Sequence, residues 1–383
     1  MDPLNGNRVA IVESHQEIVM SEIIMIGDAR DFHAMDWYRT IKNVCSDRET
    51  LFATDLIDSE GRPKLVEEED SVINLHNIDL LLLRRQSNMA NVWRNIVKLL
   101  VSWLQIARIK SIEKRYPNAI FHAHAMYYMF LSWLARITFI GTPQGSEVLV
   151  RPDRSSIYKY FACKSLKAAK YVIVDSVNMQ KKIRQLCGKD TAIVQFGIDV
   201  SSILSKSYRG FKRSGVISIR GMHPLYRIDQ ILEGRARSKV KPPLVFSYPF
   251  FEEEYRRKII SCLGPNDLDL GRLSTKDQMY EVLFSKLLGV SIPRSDSSPR
   301  SVYEAIFCGC CVAVTYSPWI DSLPLCMRSR LVIVDLNDEE WLDKAIECAY
   351  SIREVPYKPS EMALNLFDQE RTMKAVADLF YGG

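Results

Sequence analysis

Along the chain, short unbroken apolar runs alternate with longer stretches in which apolar residues recur every three or four positions. The runs fall at 23–26, 79–83, 119–121, 171–174, 216–219, 244–246, 288–292, 312–314 and 331–334. A strand with one wet face alternates apolar and polar residues, so unbroken runs predict strands covered on both faces. The helical stretches between them, among them 91–114, 176–186, 252–262 and 276–287, supply the cover. Regular alternation of strand and helix predicts an α/β protein with parallel sheets. At 383 residues the chain exceeds one ordinary domain. Segment 201–214 is dominated by Ser, Lys, Arg and Gly, keeps no apolar period and leads directly into a new strand, which predicts a domain junction. Residues 360–381 carry the period of one amphipathic helix. The expected organisation is two domains, 1–205 and 206–360, with a terminal helix, 361–383, crossing back to the first.

Composition narrows the function classes. The net charge of +5 is small for this length, and no basic stripe with interleaved aromatics occurs, which argues against nucleic acid as a partner. Cysteines number nine, an odd count, and several sit in apolar stretches; this fits reduced thiols in a cytoplasmic protein. Cys308, Cys310 and Cys311 lack the paired spacing of a zinc site and read as core residues at a helix end, so no metal is expected. The first twenty residues are mixed and carry acids, unlike a signal peptide. The run 96–106 is broken by Lys98, Ser102 and Gln105, too often for a membrane span.

Most of the chemistry lies in Ser291-Ile-Pro-Arg-Ser-Asp296-Ser-Ser298-Pro299-Arg-Ser301-Val-Tyr-Glu304-Ala-Ile-Phe-Cys-Gly309. A buried strand ends near Ile292, and a helix is predicted to begin at Pro299 with Ser298 as its N-cap. A helix start offers free N–H groups and partial positive charge, which suit a diphosphate. Asp296 precedes the helix. Glu304 lies about a turn and a half inside it, where a carboxylate can accept from both hydroxyls of a ribose. A loop acid and a solvated helix glutamate are the plain alternative, and the strand–loop–helix context favours a site.

This segment resembles the Glu-x7-Glu motif of the family-4 retaining glycosyltransferases, whose fold is called GT-B. Asp296 stands at the first glutamate and Glu304 at the second; the form Ser-Asp-x-x-Pro-x-Ser-x-x-Glu-Ala looks like that of bacterial surface-polysaccharide enzymes. Arg220, opening Arg220-Gly221-Met-His-Pro-Leu225-Tyr226-Arg227, resembles the arginine that contacts the donor diphosphate, with Gly221 permitting close approach. The family's lysine five positions on is Leu225 here, and Arg227 is either its replacement or an exposed helix residue. Leu273, in Leu270-Gly271-Arg-Leu273, resembles the wall against the base, or belongs to an ordinary turn. Asp267-Leu-Asp269 imitates a metal-binding Asp-x-Asp but falls in an expected turn, and GT-B enzymes generally need no metal for the leaving phosphate. Ile24-Met-Ile26-Gly27-Asp28, followed by His33, Asp36, Trp37 and Tyr38, resembles the first strand and loop, where glycine lets the chain turn against the donor phosphate. In Phe121-His122-Ala-His124, His124 resembles the histidine that reaches the donor sugar, hydrogen-bonded structural histidines being the alternative. Gly145-Ser146-Glu147 resembles a Gly-Ser-Asp at a strand end; Ser176 and Phe196-Gly197-Ile198-Asp199 complete a series that runs in order from 23 to 334.

The resemblance implies two Rossmann-like domains with parallel sheets facing an interdomain cleft, a nucleoside diphosphate sugar as donor and substrate, and no cofactor. Gly27, Arg220, Gly221, Arg227, Leu273, Ser298, Ser301 and Glu304 would hold the donor. His33, Gly145, Ser146 and Glu147 would face a glycan or lipid-linked acceptor. Arg220 would stabilise charge on the leaving diphosphate, Glu304 hold the ribose, and Asp296 and His124 orient the sugar, with transfer to a hydroxyl at retained configuration. The expected setting is bacterial capsule, O-antigen or exopolysaccharide synthesis. Alternatives are a nucleotide-sugar epimerase of the same fold, whose Arg- and Glu-rich signature is not seen, and a non-catalytic GT-B partner subunit, motivated by the aspartate at 296 and the missing lysine. Helix 91–115 sets Trp93 and Trp103 among Lys98, Arg108, Lys110, Lys114 and Arg115. It reads as a core helix with a solvated basic edge, the commoner arrangement, or as a helix resting on an anionic membrane. The second reading adds peripheral attachment at the inner membrane to a cytoplasmic location.

Overall fold

The first unbroken apolar run forms β1 (Ile23–Ile26), buried throughout, with Ile24 and Ile26 in one core and Ile23 and Met25 in the core on the opposite face. The computed structural model describes residues 21–56, 66–83, 88–206 and 212–382; the first twenty residues and 207–211 of the expected junction lie outside them. To β1 are added β2 (Thr50–Thr54), β3 (Val72–Asn74), β4 (Ile120–His124), β5 (Phe139–Thr142), β6 (Tyr171–Val174) and β7 (Ala192–Ile193), in the spatial order β3-β2-β1-β4-β5-β6-β7. The second sheet comprises β8 (Val216–Ser218), β9 (Leu244–Ser247), β10 (Leu268–Gly271), β11 (Leu288–Ser291), β12 (Cys311–Val314) and β13 (Leu331–Ile333), in the order β10-β9-β8-β11-β12-β13. All pairings in both sheets are parallel. Helices cover both faces, and each sheet therefore separates two apolar cores. The order reverses at β1/β4 in one sheet and at β8/β11 in the other, and crevices for ligands open at the carboxyl ends of strands at such points.

Three expectations are corrected. The run 79–83 is no strand: Asp79–Leu81 is a 3-10 turn with Leu80 93% exposed, and the edge position belongs to the shorter, more polar β3. Asp269 lies within β10, not in a turn. Residues 360–381 form not one helix but three pieces, Glu361–Phe367, Gln369–Val376 and a π-helical end, Ala377–Tyr381. The break is at Asp368, whose extended backbone ends the first piece and whose side chain accepts from Glu370 N to cap the second.

That break marks a crossing between domains. Ala363 and Phe367 pack in the core of the second sheet, whereas Met373, Val376, Ala377 and Tyr381 pack beneath the first. The outward crossing runs beside it, since Ile198, Val200 and Ile203 already belong to the second core. The two are bonded together, Ile198 N to Phe367 O at 2.7 Å and Gln369 N to Ile198 O at 2.9 Å. Gly197 has φ +70°, and a Cβ there would stand 2.8 Å from Gln369 N, so the crossings touch only because this residue is glycine. His122, in β4, fastens the far end: Nδ1 meets the Tyr381 hydroxyl at 2.5 Å and Nε2 the Thr142 hydroxyl at 2.7 Å.

Candidate functional site

Arg220 follows β8, and its guanidinium is placed by three neighbours. Nη1 donates to the Ser301 hydroxyl at 2.8 Å, Nη2 pairs with the Asp296 carboxylate, and the group stacks 4.6 Å over the Tyr226 ring. Its Nε is buried without a partner. Arg220, Asp296 and Ser301 thus meet at the switch point of the second sheet. The helix carrying Ser301 spans Arg300–Phe307, one residue later than expected, with Pro299 in the cap position. Ser298 makes no N-cap bond: its hydroxyl donates instead to Gln195 Oε1 of the first domain at 2.5 Å.

Glu304 lies one turn beyond Ser301, buried, with Tyr280 Oη and Arg300 Nε each 3.5 Å from Oε1. Burial raises its carboxyl above the ordinary range, against the pull of Arg300 and Lys276. Arg300 joins the domains, since Nη1 donates to Asp36 Oδ2 at 2.5 Å while Lys276 Nζ reaches Asp36 Oδ1 at 3.0 Å. Burial would raise the Asp36 carboxyl, but these two cations outweigh it and hold it below its ordinary value. Neither Asp36 nor Arg300 carries a role in the motif; the signal for Arg300 is its place four residues before Glu304, the spacing of neighbours on a helix face.

Arg227 does not stand free for a phosphate. Its backbone is left-handed (φ +52°), and its side chain donates to Ile292 O at 2.6 Å and Pro293 O at 2.8 Å, clamping the chain after β11. Arg294 was not singled out and is better placed. It is exposed, its backbone N–H donates to Leu225 O at 2.9 Å, its guanidinium has no hydrogen bond or ion pair among the described residues, and it lines a pocket with Ser291, Ser295, Asp296, Thr315 and Trp319. Gly221 admits the ring of Phe250, 2.6 Å from where a Cβ would be. Leu273 is half-buried in the turn after β10. Asp267 pairs with Arg235 and accepts from Leu244 N at 2.8 Å, while Asp269 accepts from Tyr248 Oη at 3.1 Å and Arg256 Nη2 at 3.2 Å.

In the first domain, Gly27 and His124 end the two strands at the switch point, a Cβ on Gly27 falling 3.5 Å from His124 Cβ. His124 is buried beside Trp37 and Phe196, ring centroids 5.8 and 5.9 Å away, and neither ring nitrogen has a partner. Burial, helped by the charge of His33, pushes its pKa down to about 3, so the imidazole is neutral. His33 is exposed in the first turn of Phe32–Val44, where Asp31 caps the helix by accepting from His33 N. Gly145 opens a short helix, Gly145–Leu149, and a Cβ on it would collide with the hydroxyl of Ser297 from the other domain. Ser146 is exposed beside it. The Glu147 carboxylate turns inward, accepting from Met126 N at 2.8 Å and Gln144 N at 3.0 Å. That is a structural use. Asp175, after β6, accepts from the Ser297 hydroxyl at 3.2 Å; burial raises its carboxyl to about 6 despite this bond. Among the described residues no group of three or more His, Cys, Asp or Glu could hold a metal ion.

The carboxyl ends of the two parallel sheets face each other, linked by Asp36–Arg300, Asp175–Ser297 and Gln195–Ser298. This is the GT-B architecture of glycosyltransferases. The chain is similar to HepE from Anabaena, solved with UDP and glucose, at 13% identity over 95% of this chain and 100% of that one, with a TM-score of 0.69. It is similar to sucrose-phosphate synthase from Thermosynechococcus elongatus, at 13% identity over 94% and 95% of the two chains and a TM-score of 0.66. A UDP-forming α,α-trehalose-phosphate synthase from Burkholderia vietnamiensis matches at 10% identity over 94% and 96%, TM-score 0.60. No protein-family model and no curated protein matches the sequence.

Proposed function

We propose that the protein is a metal-independent glycosyltransferase that moves a sugar from a nucleoside diphosphate to a hydroxyl of a glycan or lipid-linked acceptor, with retention, in surface-polysaccharide synthesis. The observation that carries this reading is the meeting of Arg220, Asp296 and Ser301 at the switch point of the second sheet, one helical turn from buried Glu304. Similar GT-B structures hold UDP and UDP-glucose, which supports a nucleotide-sugar donor. In this reading Arg220 and Arg294 take the diphosphate charge, and Arg294 does the work expected of the missing lysine. Entry of a diphosphate displaces Asp296 from Arg220 and frees it to meet the sugar. Glu304 releases Arg300 and accepts from the ribose hydroxyls. His124, neutral and with both ring nitrogens unpartnered, offers a hydrogen bond to the sugar from the opposite domain. The leaving phosphate oxygen takes the acceptor's proton on the same face. Retention and the polysaccharide setting rest on the motif resemblance.

A non-catalytic GT-B subunit is the second reading, favoured by the clamped Arg227 and the occupied Glu304. Thermal shift with UDP, GDP and CMP, followed by donor-turnover assays, separates the two. A ligand at a hundred times its Kd should stabilise the fold by about 2.7 kcal/mol. Stabilisation by one nucleotide, lost in Glu304→Ala, supports the binding site. Stabilisation without turnover of any donor supports the second reading, and no shift with any nucleotide removes the first.

A further inference from the structure

The helix Asn88–Arg115 carries a second apolar face that is left exposed among the described residues. Its inner face packs normally: Val97, Ile109 and Ile112 are buried. On the outer side, Met89, Val92, Ile96, Leu99 and Trp103 succeed one another in steps of three and four, which is one line along a helix. All five are exposed, Leu99 by 69% and Trp103 by 65%. A solvated helix face is ordinarily polar, and a contiguous apolar patch marks a place where something binds. The patch extends past the helix. The Trp93 indole donates to Leu81 O at 2.7 Å and so holds the exposed Leu80 and Leu81 against it.

The same line continues through Ala107 to Lys110 and Lys114, both exposed. Its apolar half thus runs directly into cations, and Glu113 is the helix's one acid against Arg94, Lys98, Arg108, Lys110, Lys114 and Arg115. This charge pattern selects the occupant. Protein–protein interfaces are depleted in lysine. A second copy would lay Lys110 and Lys114 on its own lysines or on its apolar half. Anionic headgroups above a hydrocarbon layer match both halves at once. We propose that this stripe docks the protein on an anionic lipid bilayer, the helix lying in the interface plane. Lys98 Nζ sits 3.6 Å from Asp55, the residue following β2, so the apolar half borders the carboxyl edge of the first sheet, where Gly27 and His124 lie. No helix among the described residues is long and apolar enough to cross a membrane, and docking would be peripheral. The proposal stands whatever the site catalyses.

The test is flotation of the full chain with vesicles of phosphatidylcholine alone and with phosphatidylglycerol added to 30% (~30% suffices for a negative surface). The wild type should float only with the anionic vesicles. A Leu99→Glu, Trp103→Glu double variant should lose at least about tenfold in partitioning. Lys110→Ala and Lys114→Ala should each lose about fivefold, and the loss should shrink in high salt. Unchanged circular dichroism and melting temperature would show that the variants are folded. Absence of flotation, or equal flotation of wild type and both sets of variants, overturns the proposal. So does a dimer in light scattering that the Glu double variant abolishes, which would assign the stripe to a second copy.

Discussion

Asp175 shows how a single carboxyl becomes a pH sensor of domain contact. Its Oδ1 has no partner, and Oδ2 takes a hydroxyl from the other domain, so burial keeps the proton on up to about pH 6. The unfolded chain releases that proton near 3.8. Because the folded value is the higher one, this group favours the fold below about pH 4, and the benefit is lost as pH rises through 6. A shift of this size corresponds to on the order of 3 kcal/mol. Asp175→Asn, which cannot ionise, should therefore gain stability relative to wild type between pH 4 and pH 7, read by urea unfolding at both values. At the pocket, Arg294→Ala is expected to weaken donor binding by about 1.5–3 kcal/mol if it holds a phosphate, while Leu225→Lys in the same background restores part of it. Calorimetry with the nucleotide found by thermal shift checks both. The motif resemblance singled out Arg220, Asp296 and Ser301, and the structure brings their side chains into contact. The resemblance did not separate Arg227 from Arg294, since two arginines in adjoining loops look alike until the carbonyls of Ile292 and Pro293 are seen to claim one of them.

Among elements, the strands that were legible are those made of apolar residues without interruption, such as β1 and β12. Among those that were missed, β2 with its two threonines, β5 with Gly141 and β10 with Asp269 are polar or glycine-bearing for reasons their neighbours supply. A Cβ on Gly141 would stand 3.0 Å from Met129 Sδ, so the strand gives up an apolar residue to let a helix lie close. The terminal helix was legible in period but not in continuity: its break answers to Ile198, a residue far away in sequence. Gly197→Ala sits at that contact. It combines a left-handed backbone with a clash against backbone atoms, and should cost roughly 2–4 kcal/mol. Differential scanning calorimetry would register it. The expected sign is destabilisation of the fold with the pocket residues untouched.

At the scale of the molecule, polar side-chain bonds among the described residues tie the two domains together across the cleft. Asp36 holds both Arg300 and Lys276, and its side chain is only 18% exposed. Asp36→Asn should weaken that closure by about 2 kcal/mol, the worth of charged hydrogen bonds. It leaves Arg300 to pair more closely with Glu304. The expected result is a larger radius of gyration by small-angle scattering and a lower donor affinity, because Glu304 is then harder to free. An unchanged scattering profile would show that closure is held elsewhere. The sequence made two facing α/β domains readable through the order of strands and motifs. It showed a returning terminal segment but not which side chains bridge the cleft, because those residues are ordinary surface types whose partners belong to the other half of the chain.

One consequence of the paired crossings concerns the kind of movement left to the protein. Two backbone segments lying side by side and bonded to each other, at Ile198 and Gln369, behave as a bookbinding: the halves turn like pages about the spine and resist shearing past one another. Substrate entry is then a matter of how wide the book is opened. Cutting the chain after Phe367 would leave a single thread, around which the halves could also twist.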